Sequence, residues 1–376
     1  MALMFLALRD LRFGRTRFVL MGAVISLIAV LMVLLSGLSQ GLVKDGVSGL
    51  QNLPITSLAF EKGVQHDSAF TRSVVDEDAV AVWQEQDGVK DAAPFGLALV
   101  NGATADGVEV DLALIGVEPG TFVAPRSAKG EEFGATDGIV VSSHLVEKEG
   151  VSIGDTITLE HSDLSLRVVG VMAEQNTFGH VDMAYVPLDT WRLAKAGVND
   201  AGQLNERQQH EITAVAVDGP DDTAAGDEAA GTESLTQRES YDASPGFTAE
   251  TSTLMMIQVF LYAICALVAG AFFTVLTIHR KGEIAVLRAM GASTGYLLRD
   301  GLGQALLLLL AAVGIGVGVG VGFGALLQGT AMPFALVAGP VVLAAVLLIV
   351  LGLAGAAAAI VRITRVDPLT ALGANR

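Results

Sequence analysis

The sequence predicts an α-helical membrane protein with four transmembrane helices and an extracellular α/β domain inserted between helices 1 and 2. Three observations predict it. The 376-residue chain is 52% hydrophobic and only 17% charged, with a mean hydropathy of +0.55, too apolar for an ordinary water-soluble protein of this length. Yet 36 of the 40 acidic residues fall between positions 44 and 250, a stretch as polar as any soluble domain. The remainder contains three uncharged tracts, 18–43, 251–278 and 301–361, of 26, 28 and 61 residues. Roughly 20 helical residues cross a bilayer core about 30 Å thick, so each tract can span, and the longest must fold back.

Taken in order, residues 1–17 form a leading cytoplasmic amphipathic helix and 18–43 transmembrane helix 1. A cleaved secretory signal is the competing reading, since Arg9, Arg12, Arg15 and Arg17 precede the tract. Signal cores run about 7 to 15 residues, and no clear small-x-small cleavage site ends this longer one. Residues 44–217 mix short alternating runs, such as GVEVDLALIGV (107–117), DTITL (155–159) and SLRVVGVM (165–172), with amphipathic stretches such as 76–86, which reads as a compact α/β domain. From 218 to 250 the chain shifts to Ala, Gly, Thr, Asp and Glu with few large apolar residues, and is expected to be a poorly ordered acidic linker. Transmembrane helix 2 follows at 251–278 and a cytoplasmic coupling helix at 279–300. Helix 3 is placed at 301–328 and helix 4 at 341–361, separated by a short outer loop, 329–340, where Gly329, Pro333, Gly339 and Pro340 break the tract. A cytoplasmic tail, 362–376, ends the chain.

Lysine and arginine set the orientation. They collect in the first 17 residues, in the 279–300 segment (Arg280, Lys281, Arg288, Arg299) and in the tail (Arg362, Arg365, Arg376). With four spans these flanks share one side, so both termini are expected in the cytoplasm of a multi-pass cell-membrane protein, with the large domain outside.

Several function classes are excluded or disfavoured. The acidic domain argues against a nucleic-acid partner. The single cysteine, Cys265, rules out a disulfide framework or CxxC site within the chain. His66, His144, His161, His180 and His210 lack HxxxH or HExxH spacing, so no metal site is assigned. G-x-S-x-G occurs at 37–41, 150–154 and 291–295, but none sits between a strand and a helix as a nucleophile elbow requires, and no catalytic residue is assigned. A stand-alone membrane enzyme is thereby disfavoured. No Gly-Lys pair exists to build a phosphate-cradling loop, and the three tracts hold no Asp, Glu, Lys, Arg or His to relay protons. Any transport must be driven by a partner.

The partner's point of attack is the segment RKGEIAVLRAMGAS, 280–293. At helical spacing Ile284, Leu287 and Met290 share one arc with the carboxylate of Glu283, Lys281 and Arg288 point elsewhere, and Gly291 is placed to cap the helix. A basic helix lying on anionic lipid is the plainer reading, and charge alone leaves both open.

This segment resembles the coupling-helix motif of the FtsX/MacB-type (type VII) ABC transporter permeases, matching at Arg280, Lys281, Glu283, Ile284, Leu287, Arg288, Ala289, Met290, Gly291 and Ala292. LALRDLRFGRTRF (6–18), GVSIGDTITL (150–159) and DPLTAL (367–372) are similar to the family's leading helix, external strand-turn motif and terminal box. No ATPase is fused to this chain, and its size and layout look most like the haem-exporter permeases of Gram-positive bacteria within that family. The resemblance implies a permease homodimer working with two copies of a separate ABC ATPase subunit, which binds the ATP, with no intrinsic cofactor and haem or a similar lipophilic toxin as possible substrate. Force would pass from the coupling helices through the spans by mechanotransmission. The alternative within the family is a non-transporting FtsX-like transducer that activates an external enzyme or sensor.

For a membrane-dissolved cargo the expected pocket lies between helices 1 and 2. Met32, Ser36 and Gln40 recur on one strip of the first, and Met255, Gln258, Val259 and Tyr262 on one strip of the second. Thioether and phenol could ligate haem iron, and the amides could hold its propionates. Packing methionines and an interfacial tyrosine are the plainer reading. In helix 3, Gly314, Gly318 and Gly322 form one small-residue strip suited to close helix packing, and Gly316, Gly320 and Gly324 a second.

Overall fold

A computed structural model describes residues 15–135, 138–279, 286, 290, 293–328, 330 and 332–364. The chain divides into two compact units, Leu42–Glu250 and Met1–Gly41 with Thr251–Arg376. The helices, in chain order, are α1 (Arg15–Asn52), α2 (Ala69–Arg72), α3 (Asp78–Gln84), α4 (Ser143–Glu149), α5 (Leu188–Ala196), α6 (Glu206–His210), α7 (Ala224–Ala230), α8 (Phe247–His279), α9 (Thr294–Leu327) and α10 (Ala338–Thr364). The strands are β1 (Ser57–Glu61), β2 (Val75–Asp76), β3 (Asp91–Thr104), β4 (Glu109–Val117), β5 (Ser127–Gly130), β6 (Ile139–Val141), β7 (Thr156–Leu159), β8 (Ser165–Met172), β9 (Thr177–Phe178), β10 (Val181–Pro187), β11 (Glu211–Ile212), β12 (Ala214–Asp218) and β13 (Thr232–Thr236).

The polar unit is built on a mixed sheet in the order β13-β1-β12-β3-β4-β10-β6-β8-β5, with β7 bridging β3 and β8 and β9 paired to β10. Its central strands are buried on both faces. Along β4, Val110, Leu112 and Leu114 enter one core with Trp83 and Trp191, while Ala113, Ile115 and Val117 enter a second with Phe95, Phe178 and Met183. The side-chain period of two deals alternate residues to the two cores, and both must be apolar. Gly96 and Gly116 face each other across β3 and β4, and a Cβ on either would collide with the indole of Trp191 on α5. The paired glycines therefore open a slot that the ring fills.

The segment 218–250 is not the poorly ordered linker expected from its composition. It contains α7 and β13, and β13 completes the sheet by pairing antiparallel to β1 from Thr232 to Thr236. Its small residues have a packing reason, because Gly226 lies against the ring of Trp83, where a Cβ would not fit. Asp227 then ties the turn together, accepting hydrogen bonds from the hydroxyls of Thr232 at 2.9 Å and Ser234 at 2.8 Å. The Trp83 indole N–H donates to Thr232 Oγ1 at 3.2 Å, so ring and turn are fixed in one network.

Among the described residues four helices are long and apolar enough to cross a membrane, over Phe18–Asn52, Phe247–His279, Leu298–Leu327 and Ala338–Val361, and the helical unit holds all of them but residues 42–52 and 247–250. Its core gathers Ile25, Ala29, Met32, Ala269, Phe273, Leu309 and Leu348. Small residues set the closest approaches. Gly355 on α10 meets the Ala266 carbonyl of α8, and Gly316 on α9 meets the Ser26 carbonyl and Ala29 of α1. Between α9 and α10 the chain tucks inward, with Ala335 N–H donating to the Gly37 carbonyl at 3.0 Å and the Phe334 ring over Gly37 and Gly324. Pro340 falls in the first turn of α10, where its missing N–H costs no helical hydrogen bond.

Candidate functional site

The coupling residues Arg280, Lys281, Glu283, Ile284, Leu287, Arg288 and Gly291 lie outside the described residues, as do 1–14 and the DPLTAL box. Of that motif Met290 is described; its N–H donates to the Val286 carbonyl at 3.0 Å, and its side chain is 72% exposed. That exposure suits an apolar side chain offered to another surface.

The two predicted cargo strips have unlike surroundings. On α1, Met32 and Ser36 are buried, Met32 within the helical core, and Gln40 is half-buried. On α8, Met255 and Val259 are exposed, while Gln258 and Tyr262 are half-buried. A separate apolar groove of about 710 Å³ runs between α1 and α9, lined by Phe18, Gly22, Ser26, Leu308, Ala312 and Ile315 among others. It contains none of the seven predicted cargo residues.

The two glycine strips of α9 have unlike surroundings. Among the described residues a Cβ at Gly314, Gly318 or Gly322 would meet no atom within 4 Å. The packing strip is Gly316, Gly320 and Gly324, which press on Ser26, Val33 and Phe334 respectively. Two residues along a helix is a turn of about 200°, so the strips face nearly opposite ways, and α1 occupies only one of them.

Chemistry-bearing groups come together in the polar unit at a place no local motif marks. β9 and β10 form a hairpin whose two turn residues, Gly179 (φ +57°) and His180 (φ +68°), both take positive φ, as a type I′ turn requires. Histidine is among the few non-glycine residues enriched there. The hairpin holds α1 by Gly179 N–H to the Gly46 carbonyl at 2.8 Å, by the Thr177 hydroxyl to the Lys44 carbonyl at 3.2 Å, and by Thr177 N–H to Ser48 Oγ at 3.0 Å. Val47 departs from helical geometry (φ −143°, ψ 15°), and these contacts occupy carbonyls at the break.

The His180 ring stands between two carboxylates. Nδ1 is 2.9 Å from Asp45 Oδ2 on α1, and Nε2 is 3.1 Å from Glu250 Oε2 on α8. Burial works against the charged ring, yet the Asp45 hydrogen bond and the charges of Glu250 and Asp45 outweigh it and raise the imidazole above the usual histidine range. Nearby, burial lifts the Asp182 carboxyl, opposed by its hydrogen bond from His144 Nδ1 at 3.1 Å. Burial alone pushes the Tyr185 phenol up. His66 pairs with Glu233 at 3.0 Å. Among the described residues no group of three or more His, Cys, Asp or Glu could hold a metal ion.

Residues 18–232 match the model of the MacB-like periplasmic core domain, and residues 255–368 match that of the FtsX-like permease C-terminal region. The chain belongs to the MacB/FtsX family of ABC-transporter permeases. As a member of that family it is a membrane protein with four spanning helices and an extracellular α/β domain, and the family works with a partner ATPase subunit. It is 24% identical, over 98% of its own length and 99% of the other's, to a Staphylococcus haemolyticus protein named as permease HrtB of a hemin transport system. It is also 24% identical to an ABC transporter permease of Mycobacterium tuberculosis, over 99% of each chain. The crystal structure of the extracellular domain of the ABC-type transporter YknZ from Gram-positive bacteria covers 48% of this chain and 98% of its own, at 15% identity and a TM-score of 0.34.

Proposed function

We propose that this MacB/FtsX-type permease is the membrane subunit of an ATP-driven efflux pump that removes haem or a similar lipophilic toxin from the membrane by mechanotransmission. It would act as a homodimer with two copies of a separate ATPase, its termini in the cytoplasm. The observation that carries this reading is the end-to-end similarity to a permease named for hemin transport. Apolar tracts (18–43, 251–278 and 301–361) free of Asp, Glu, Lys, Arg and His fit a pump whose work is done elsewhere.

The α8 strip is the proposed contact with cargo. Met255 and Val259 project from it, with Gln258 and Tyr262 half-buried beside them. A thioether and a phenol can each ligate haem iron, and Gln258 can hydrogen-bond a propionate. Met32 and Ser36, being buried, would reach the same cargo only after the helices part. Gly314, Gly318 and Gly322, open within the chain, are proposed to pack the second permease copy.

A strain lacking the gene should lose tolerance of haem. The wild-type gene should restore it, and Met255→Ala combined with Tyr262→Phe should restore it at least tenfold less well at equal membrane abundance. Unchanged tolerance in the deletion strain would defeat the haem assignment, and unchanged tolerance of every lipophilic toxin would favour the transducer. Glu283→Ala should insert normally but abolish most stimulation of the partner ATPase. Normal stimulation would remove that carboxylate from the coupling role.

A further inference from the structure

Beside two ionised carboxylates, His180 presents a geometry that only the doubly protonated ring satisfies. An ionised carboxylate accepts hydrogen bonds and donates none, and a neutral imidazole carries a single N–H. Here both ring nitrogens face carboxylates, Asp45 at 2.9 Å and Glu250 at 3.1 and 3.2 Å. The doubly protonated imidazolium gives both contacts a donor and neutralises part of the charge of two acids that would otherwise repel. Removing one proton leaves a nitrogen lone pair pointed at a carboxylate.

The three residues come from three separate segments. Asp45 is on α1 two residues before its break at Val47, Glu250 is in the first turn of α8, and His180 is at the hairpin tip. Other groups reinforce the seating without replacing the ring. Gln175 donates to Asp45 Oδ1 at 3.3 Å, the Ser244 hydroxyl donates to the Gly46 carbonyl at 3.2 Å, and Asp242 accepts from Thr248 on α8 at 3.2 Å. Lys44, next along α1, is exposed, and Asp182, on the hairpin's other side, is engaged by His144. Among the described residues Asp45 and Glu250 are therefore the charged groups whose side chains bond to the ring.

We propose that His180 is the keystone of a pH-sensitive latch that ties the end of α1 to the start of α8, closed while the imidazole carries both N–H protons and released when one is lost. The sign follows from the direction of the shift. A histidine whose folded value is raised contributes stability that is fully present below the free value of about 6.5 and is lost as pH rises through the raised one. Mildly acidic surroundings keep the latch shut, and alkaline surroundings open it. Because α1 and α8 are the two chain segments that join the polar unit to the spans, the latch sits where their separation is set. It does not depend on the identity of any cargo.

The test uses the full-length protein in lipid nanodiscs with Cys265→Ala, carrying spin labels at Lys44→Cys and Ala249→Cys. Dipolar broadening should be strong at pH 6 and fall toward pH 9, with a midpoint above about 6.5. In His180→Asn, chosen because asparagine tolerates positive φ, the broadening should not change with pH. Glu250→Gln, which keeps shape and removes one anion, should lower the midpoint by about 1 pH unit. Broadening that is flat with pH in the parent, or a midpoint unmoved by Glu250→Gln, overturns the latch even if His180→Asn fails to fold.

Discussion

Glycine serves opposite partners in the two units. In the polar unit Gly96 and Gly116 admit the ring of Trp191, and Gly226 admits that of Trp83. In the helical unit Gly316 admits the carbonyl of Ser26, and Gly355 that of Ala266. A ring is a removable obstacle, since deleting it returns the space, whereas backbone stays whatever its side chain. The polar unit seats large rings of its helices against glycines, and the spans, without a hydrophobic drive between helices in lipid, bring main chains close instead.

The largest expected effect sharpens that difference in the polar unit. Trp191 is fully buried, and Trp191→Ala should destabilise by about 3–5 kcal/mol, the usual cost of emptying an aromatic site. Gly96→Ala should also destabilise, because its Cβ would strike the ring. Combined with Trp191→Ala, however, the glycine substitution should cost much less, because the obstacle has gone. Denaturant unfolding of the full-length protein in detergent measures the coupling. Strict additivity would break the comparison.

The helical unit should respond by position. Gly316→Leu should reach or pass the upper end of the roughly 1–3 kcal/mol typical of overpacking, since the Ser26 carbonyl cannot retreat without moving α1. Gly314→Leu, with open space around it, should leave the thermal midpoint of an isolated permease protomer within a few degrees of the parent. Where two copies associate, the same Gly314→Leu should weaken association, which size-exclusion chromatography in detergent reads independently of folding. Equal loss of folding at both positions would remove the distinction between the two strips.

Much of this was legible in the sequence because the physics is local. The strand read over 165–172 is β8 with those bounds, the alternation in 107–117 contains β4, and DTITL contains β7. Local period and turn residues suffice for such elements. The choice between glycine strips was not legible, because α9 is apolar all round and nothing in such a tract says which side meets α1. The segment around Gly226 was misread because alanine, glycine and threonine mark a mobile chain when solvated but a tight fit beside an indole, and Trp83 lies 143 residues earlier in the sequence. The His180 group was invisible for the same reason. Its two acids lie 135 and 70 residues away, and the positive φ that aims the ring belongs to a Gly-His turn with no Asn-Gly or Asp-Gly signal.

The smallest effect concerns charge, where the units differ most, because the apolar tracts 18–43, 251–278 and 301–361 have no Asp, Glu or His to respond to acid. Glu233 accepts a hydrogen bond from His66 and another from the Gly63 N–H, and these hold its carboxyl below the usual range. A carboxylate with a lowered folded value contributes stability that is present above its unfolded value of about 4.3 and lost as pH falls through the lowered one. Both side chains are about half exposed, so solvent screening limits the contribution to well under 1 kcal/mol. Glu233→Gln should therefore lower the unfolding midpoint slightly at pH 7, and the difference should shrink as pH falls below the free carboxyl value and the parent carboxyl takes up its proton. A deficit that persisted unchanged at pH 3 would mean that Glu233 acts through shape and packing, and that the acid response of the polar unit resides in other carboxylates.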